Sequence, residues 1–166
     1  LGCLATVLRF LPLPMGASAF FLIPILVGHI FGGVIGLLNA MLSMLMSGFW
    51  GGGLGPWTPY QIMASGLIGL ISGMTVGRSK WSLAFVAFSM GILYGILMNI
   101  WAWPTLPDQN GSFVLFYVTT SLWWDVFRGV ANSTLVIIFY EPITKILTRF
   151  KARFLTDLDI NLSSLS

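Results

Sequence analysis

The chain has 166 residues, of which 57% are hydrophobic and only 8% are charged, whereas soluble domains carry about 25% charged residues. A water-soluble fold cannot hide so much apolar surface, so the composition indicates one compact, integral membrane domain. The single cysteine, Cys3, excludes an internal disulfide and a cysteine-based metal site.

The first ten residues, LGCLATVLRF, are typical of the outer end of a helix. Ten helical residues rise about 15 Å, which is half of the apolar core of a bilayer. We therefore expect that most of a first transmembrane helix is missing from this chain. We expect Cys3 to be buried in the helix; the alternative, that LGC ends a lipoprotein signal, depends on residues upstream.

Five further helices follow from the hydrophobic runs and their breaks. GHIFGG divides the first uncharged run, GRSKWS ends the third predicted helix, and two prolines end the fourth. The last run is too long for one perpendicular span, so we expect an outer helical extension or a tilt before its core at 122–140. The predicted helices cover residues 15–30, 33–50, 57–76, 81–102 and 112–148.

The basic residues predict the orientation. Arg78 and Lys80 form one group, and Lys145 to Arg153 form another. Two crossings separate the groups, so they share a side, which is cytoplasmic by the positive-inside rule. The predicted organisation is a transmembrane domain over 1–150 and a cytoplasmic tail over 151–166, in a multi-pass protein of the cell membrane.

Signals of catalysis are missing from the sequence. His29 is the single histidine, which excludes a zinc site of several histidines, and we expect it to be satisfied or solvated at a turn. The glycine-rich stretch at 51–55 lacks the Lys-Ser/Thr of a phosphate-binding loop. We predict no enzyme, no catalytic residue and no metal site.

A stripe of small residues recurs every four positions in the third predicted helix. Such stripes let helix backbones approach closely. The stripe either packs inside this bundle or forms a docking face for another membrane subunit. Its members are Ser65, Gly69, Gly73 and Gly77.

Asp125 and Arg128 lie three residues apart on one face of the last span. Charges in a membrane are costly and survive by pairing or by lining a cavity. They are either a structural pair or part of the wall of an outward-facing pocket, to which Trp124 and Asn99 would also contribute. The loop FWGGGLGPWTPYQIMA is likewise either a tight connector or a cap on that pocket.

The stretch GGGLGPWTPYQIMASGLIGLISG, residues 51–73, resembles the GPWTP-aromatic-Gln segment of membrane S-components of energy-coupling factor (ECF) vitamin transporters, in particular the group described as predicted cobalamin S-components. LPLPMGAS and the basic tail are similar too. The resemblance implies six helices with both ends cytoplasmic in a prokaryotic membrane, and an outward-facing pocket roofed by loops. It implies a coupling membrane subunit and two ATPase subunits, so ATP is bound by partners and the chain needs no cofactor of its own.

The fold class expected is therefore an all-α, S-component-like bundle of six helices, and the function expected is to bind a vitamin or related micronutrient, cobalamin-like, for an ECF importer. A self-contained channel or secondary carrier, and a structural scaffold, stay as alternatives, although a carrier usually shows paired repeats. The predicted substrate-binding residues are Trp57, Thr58, Tyr60, Gln61, Asn99, Trp124, Asp125 and Arg128.

Overall fold

The computed structural model describes residues 1–11, 13, 18–106 and 112–163, with side chains described up to Arg153. All regular structure in these residues is helical, as predicted. Three helical stretches are long and apolar enough to cross a membrane: Gly33–Gly51, Lys80–Thr105 and Leu122–Arg153. The α-helices are α1 Gly2–Arg9, α2 Leu22–Phe31, α3 Gly33–Ser47, α4 Thr58–Ser72, α5 Lys80–Ala102, α6 Phe113–Thr120 and α7 Leu122–Ser163.

The described residues form seven α-helices, so the predicted number of six is not confirmed. The predicted last segment is divided between α6 and α7 at Ser121, whose hydroxyl donates to Asn99 Oδ1 of α5 at 2.9 Å. Just before the break, Thr119 and Thr120 donate back to main-chain carbonyls of α6, and such back-bonding bends helices. The outer extension expected from sequence is α6.

Helix α7 has 42 residues and is about 63 Å long at 1.5 Å per residue, twice the apolar core of a bilayer. It continues without a break past residue 150 into the segment predicted to be the cytoplasmic tail. The stretch LPLPMGAS, residues 11–18, and the connection between α5 and α6 lie partly outside the described residues, since 12, 14–17 and 107–111 are not among them.

Helix α2 is the centre of the bundle. Its residues from Leu22 to His29 are buried on every face, which is the behaviour expected of a helix that is apolar all round. It packs against α3, α4 and α7. The chain turns sharply into α3 at Gly32, whose φ of 100° favours glycine, so the break predicted within GHIFGG is present.

The small-residue stripe of α4 packs inside the protein. Ser65 is fully buried, and Gly69 and Gly73 face glycines of α3. A Cβ added to Gly33 of α3 would lie 2.6 Å from the carbonyl oxygen of Leu70, so the two helices touch through their backbones. The bundle's own packing occupies Ser65, Gly69 and Gly73, which favours the first of the two interpretations of the stripe, packing inside the bundle.

The fourth stripe residue, Gly77, lies beyond α4 in an exposed turn with a φ of 74°. Cys3 also departs from expectation, because it is exposed on α1 rather than buried.

The two groups of basic residues lie at the same end of the bundle, as predicted. Lys80 of α5 forms an ion pair of 3.2 Å with Glu141 of α7, and Lys151 donates to the carbonyl of Ile30 at the end of α2. We call this the basic end. The opposite end, where α1 and α3 finish and α4 and α7 begin, is the loop end.

His29 lies near the basic end and is satisfied by protein groups. Its Nδ1 lies 2.8 Å from Thr75 Oγ1, and its Nε2 lies 3.2 Å from the Tyr140 hydroxyl. Since the Thr75 hydroxyl donates its proton to the carbonyl of Ser72 at 2.6 Å, Nδ1 of His29 must be the protonated nitrogen. The default structural interpretation of this histidine is confirmed.

Candidate functional site

A cavity of about 230 Å³ opens at the loop end. It lies where α1, α3, α4, α5 and α7 converge above the start of α2, and below it the α2 side chains from Ile23 to Val27 are almost completely buried. Its wall combines aromatic rings with two guanidinium groups, an amide and a hydroxyl. The lining residues are Arg9, Ser18, Phe20, Phe21, Met44, Gln61, Tyr94 and Arg128.

A buried carboxylate, that of Asp125, positions the Arg128 side chain in the cavity wall. Asp125 lies in the first turn of α7, where the positive end of the helix dipole favours a carboxylate. It accepts a hydrogen bond from Arg128 and another, of 3.0 Å, from the hydroxyl of Tyr117 in α6. Gly95 of α5 leaves the space that this carboxylate fills, because a Cβ there would overlap it.

Arg9, the last residue of α1, also lines the cavity. Its Nη1 donates to the hydroxyl of Ser47, and to the sulfur of Met44 at 2.9 Å. A cation at the C-terminus of a helix is favoured by the helix dipole. The fold therefore brings guanidinium groups from distant parts of the sequence to one cavity.

Tyr94 brings an aromatic face to the cavity. Its ring packs on that of Phe21 at 5.0 Å between centroids, and the Arg128 guanidinium lies 5.5 Å from its centroid. Edge-to-face aromatic pairs and cation–π contacts of this kind fix ring positions. The arrangement suits a small, flat ligand that needs aromatic contact and a few hydrogen bonds. No group of three potential metal ligands occurs among the described residues.

Of the residues predicted to bind substrate, Gln61 and Arg128 line the cavity, and Asp125 lies behind Arg128. Thr58 is the buried first residue of α4, and its hydroxyl accepts from the Gly55 amide at 2.9 Å.

The remaining predicted residues lie outside the cavity wall. Trp57 and Tyr60 pack against Trp101, with centroids 6.1 and 6.0 Å apart. Asn99 joins α5 to the α6–α7 break, and Trp124 is 51% exposed on the surface. The structure therefore does not bring these four side chains into the cavity.

Arg9, Tyr94 and Tyr117 are not among the residues predicted from the sequence. Arg9 offered a signal, because it is a lone cation beside an apolar helix, and such residues mark functional positions in membrane proteins. Tyr94 and Tyr117 offered none, since tyrosine is common in apolar helices near interfaces.

An all-helical membrane bundle with a mixed aromatic and polar cavity at one end is typical of a membrane protein that binds a small solute. The family described as ECF-type riboflavin transporter, S component, matches residues 5–149. The chain belongs to this family. It is thus an S-component, a transporter subunit that binds substrate, and not an enzyme.

The matching family is of the riboflavin type, so the narrower resemblance to cobalamin S-components is not confirmed. No curated protein and no solved structure matches the chain.

Proposed function

We propose that the cavity at the loop end is the substrate site and that its ligand is a small, flat vitamin of the flavin type. The observation that carries the proposal is the convergence of Gln61, Tyr94, Arg9 and Arg128 on one cavity in a chain of the riboflavin-type family. A flavin presents a three-ring aromatic plane and an edge of hydrogen-bonding groups. Tyr94 and Phe21 supply aromatic contact, and Gln61 supplies both a donor and an acceptor.

The size of the cavity favours a flavin over a corrinoid. The volume of about 230 Å³ lies just below the range of about 300–1,000 Å³ for typical ligand pockets. A corrinoid is several times larger and would require the helices around α2 to separate.

We further propose that the loop end faces the cell exterior and the basic end faces the cytoplasm. The positive-inside rule supports this orientation, because Arg78, Lys80 and the basic residues of α7 share one end. The chain would then collect its ligand from outside and pass it on with a coupling membrane subunit and two ATPase subunits, which bind the ATP.

A self-contained channel is the weaker alternative. Ile25 and Leu26 of α2 are fully buried directly below the cavity, within a continuous apolar core. No described residue of the basic end lines the cavity. A binding subunit that depends on partners for transport accounts better for a cavity that is closed below.

The test measures the binding of riboflavin to the full chain in lipid nanodiscs through the quenching of flavin fluorescence. Gln61→Ala removes a cavity side chain and should weaken binding about tenfold, which corresponds to about 1.4 kcal/mol, the size of a hydrogen-bond loss. Trp124→Ala is the matched control, because this large side chain is exposed outside the cavity, and it should bind like the wild type. Undiminished binding by Gln61→Ala together with a loss in Trp124→Ala would place the site elsewhere.

A further inference from the structure

The wall of the cavity contains more positive than negative charge. Arg9 and Arg128 both line it, while Asp125 is the one carboxylate beside it among the described side chains. Glu141, the other acid with a described side chain, lies at the basic end and pairs with Lys80. The described part of the site therefore has a formal charge of +1.

The carboxylate of Asp125 has hydrogen-bond partners other than Arg9. One oxygen of Asp125 accepts from Arg128 and the other accepts from Tyr117. The partners of Arg9 are the neutral groups of Ser47 and Met44, and both are reached by the same nitrogen, Nη1. Among the described contacts, the remaining N–H groups of Arg9 have no acceptor and are free to bind a ligand.

An uncompensated cation at the level of a membrane helix is costly, and an anion bound against it lowers that cost. A guanidinium presents parallel N–H groups that match the oxygens of a carboxylate or a phosphate. The second guanidinium, Arg128, lies in the same wall and adds to the favourable potential for a negative charge. Ser18 lines the cavity as well and offers a hydroxyl.

We propose that the ligand of this cavity carries an anionic group, a carboxylate or a phosphate ester, which binds to Arg9 while its ring lies against Tyr94. This inference rests on the proposed function and narrows the substrate class. For a flavin, the anionic form is the 5′-phosphate ester, flavin mononucleotide, and the neutral comparison is riboflavin. The two share one ring system and differ in the charged group.

The experiment compares both flavins on the full chain in nanodiscs, with Arg9→Gln and Arg78→Gln as matched variants. Arg78 is exposed near the basic end, far from the cavity. The wild type and Arg78→Gln should bind flavin mononucleotide at least tenfold more tightly than riboflavin. Arg9→Gln should bind the two equally. The comparison within the wild type decides the proposal even if Arg9→Gln fails to fold.

Equal affinity of the wild type for both flavins would refute the proposal of an anionic ligand and leave the proposed function intact. If neither flavin binds, the melting temperature is measured with and without inorganic phosphate. A rise in the wild type that Arg9→Gln lacks would support the anion site while refuting a flavin, and the absence of a rise would refute both.

Asp108 lies outside the described residues, and its carboxylate is the alternative source of negative charge that a further variant tests. If Asp108→Asn creates a preference for the phosphate ester that the wild type lacks, the negative charge belongs to the protein and the proposal is wrong.

Discussion

The pairing of Asp125 with Arg128 allows a stability prediction of defined size. Removing one partner of a buried ion pair costs about 3–5 kcal/mol, but hydrogen bonds between membrane helices average only about 0.6 kcal/mol. The Arg128 side chain is 26% exposed at the cavity, so its charge stays partly hydrated when the carboxylate is lost. We therefore expect Asp125→Asn to lower the free energy of unfolding by about 2 kcal/mol, between these limits.

The assay is thermal unfolding of the full chain in detergent. For a chain of this size, about 2 kcal/mol corresponds to a melting temperature lower by about 4–8 °C. Arg128→Gln should cause a larger loss, because it leaves the buried Asp125 carboxylate without a counter-charge, although that carboxylate keeps its bond from Tyr117. Tyr117→Phe should cost about 1 kcal/mol, the typical size of one hydrogen bond.

The double variant Asp125→Asn with Arg128→Gln distinguishes two roles of these residues, a structural pair and a part of the cavity wall. It should recover at least half of the stability lost in Asp125→Asn, because two neutral amides can bond to each other. It should still bind ligand more weakly than the wild type, since a guanidinium has left the wall. Losses that simply add would refute the pairing, and full ligand binding by the folded double variant would refute the role of Arg128 in the wall.

Three further substitutions test the packing and the basic end by the same melting assay. Gly91→Ala should cost about 1–3 kcal/mol through overpacking, because its Cβ would lie 2.6 Å from the Cα of Gly129; an unchanged melting temperature would mean that α5 and α7 are not in close contact. Thr75→Val removes the acceptor of the buried His29 and should cost about 1–3 kcal/mol. Glu141→Gln breaks an exposed ion pair and should change the melting temperature by no more than about 2 °C.

The helices and most of their limits follow from local signals. Gly32 interrupts the uncharged run because it adopts a positive φ, and Ser79 caps α5 by accepting from the amide of Ser82. The division between α6 and α7 was harder to predict, since it depends on the bond from Ser121 to Asn99 in another helix. Hydropathy contains no information about such a contact.

The site was predictable only in part, because its wall is assembled from distant segments. Arg128 was found because a charge within a membrane span is costly and indicates a pair or a cavity, and Gln61 was found because it is a polar residue beside the glycine-rich loop. Trp57 and Tyr60 shared that signal, but Trp101 of α5 is the surface that they contact. Whether an aromatic residue beside a loop faces a ligand or a neighbouring helix depends on the tertiary packing rather than on spacing along the chain.

The role of the small-residue stripe in α4 also depends on tertiary packing. A repeat of four residues predicts a close helix contact, but it does not specify whether the partner belongs to the same chain. Here Gly69 faces Gly36 of α3, which has its own run of small residues. Two complementary stripes in one chain favour internal packing.

The most direct measurement of where the ligand binds uses single cysteines, introduced after Cys3→Ser removes the exposed native thiol. Ser18→Cys places a thiol in the cavity wall, and Ser79→Cys places one in an exposed position at the start of α5, at the other end. In intact cells, a membrane-impermeant maleimide should label residue 18 and not residue 79, and flavin mononucleotide should protect residue 18. Labelling of residue 79 from outside would contradict the outward orientation of the cavity. Labelling of residue 18 that is unchanged by saturating riboflavin and by saturating flavin mononucleotide would contradict a substrate site in this cavity.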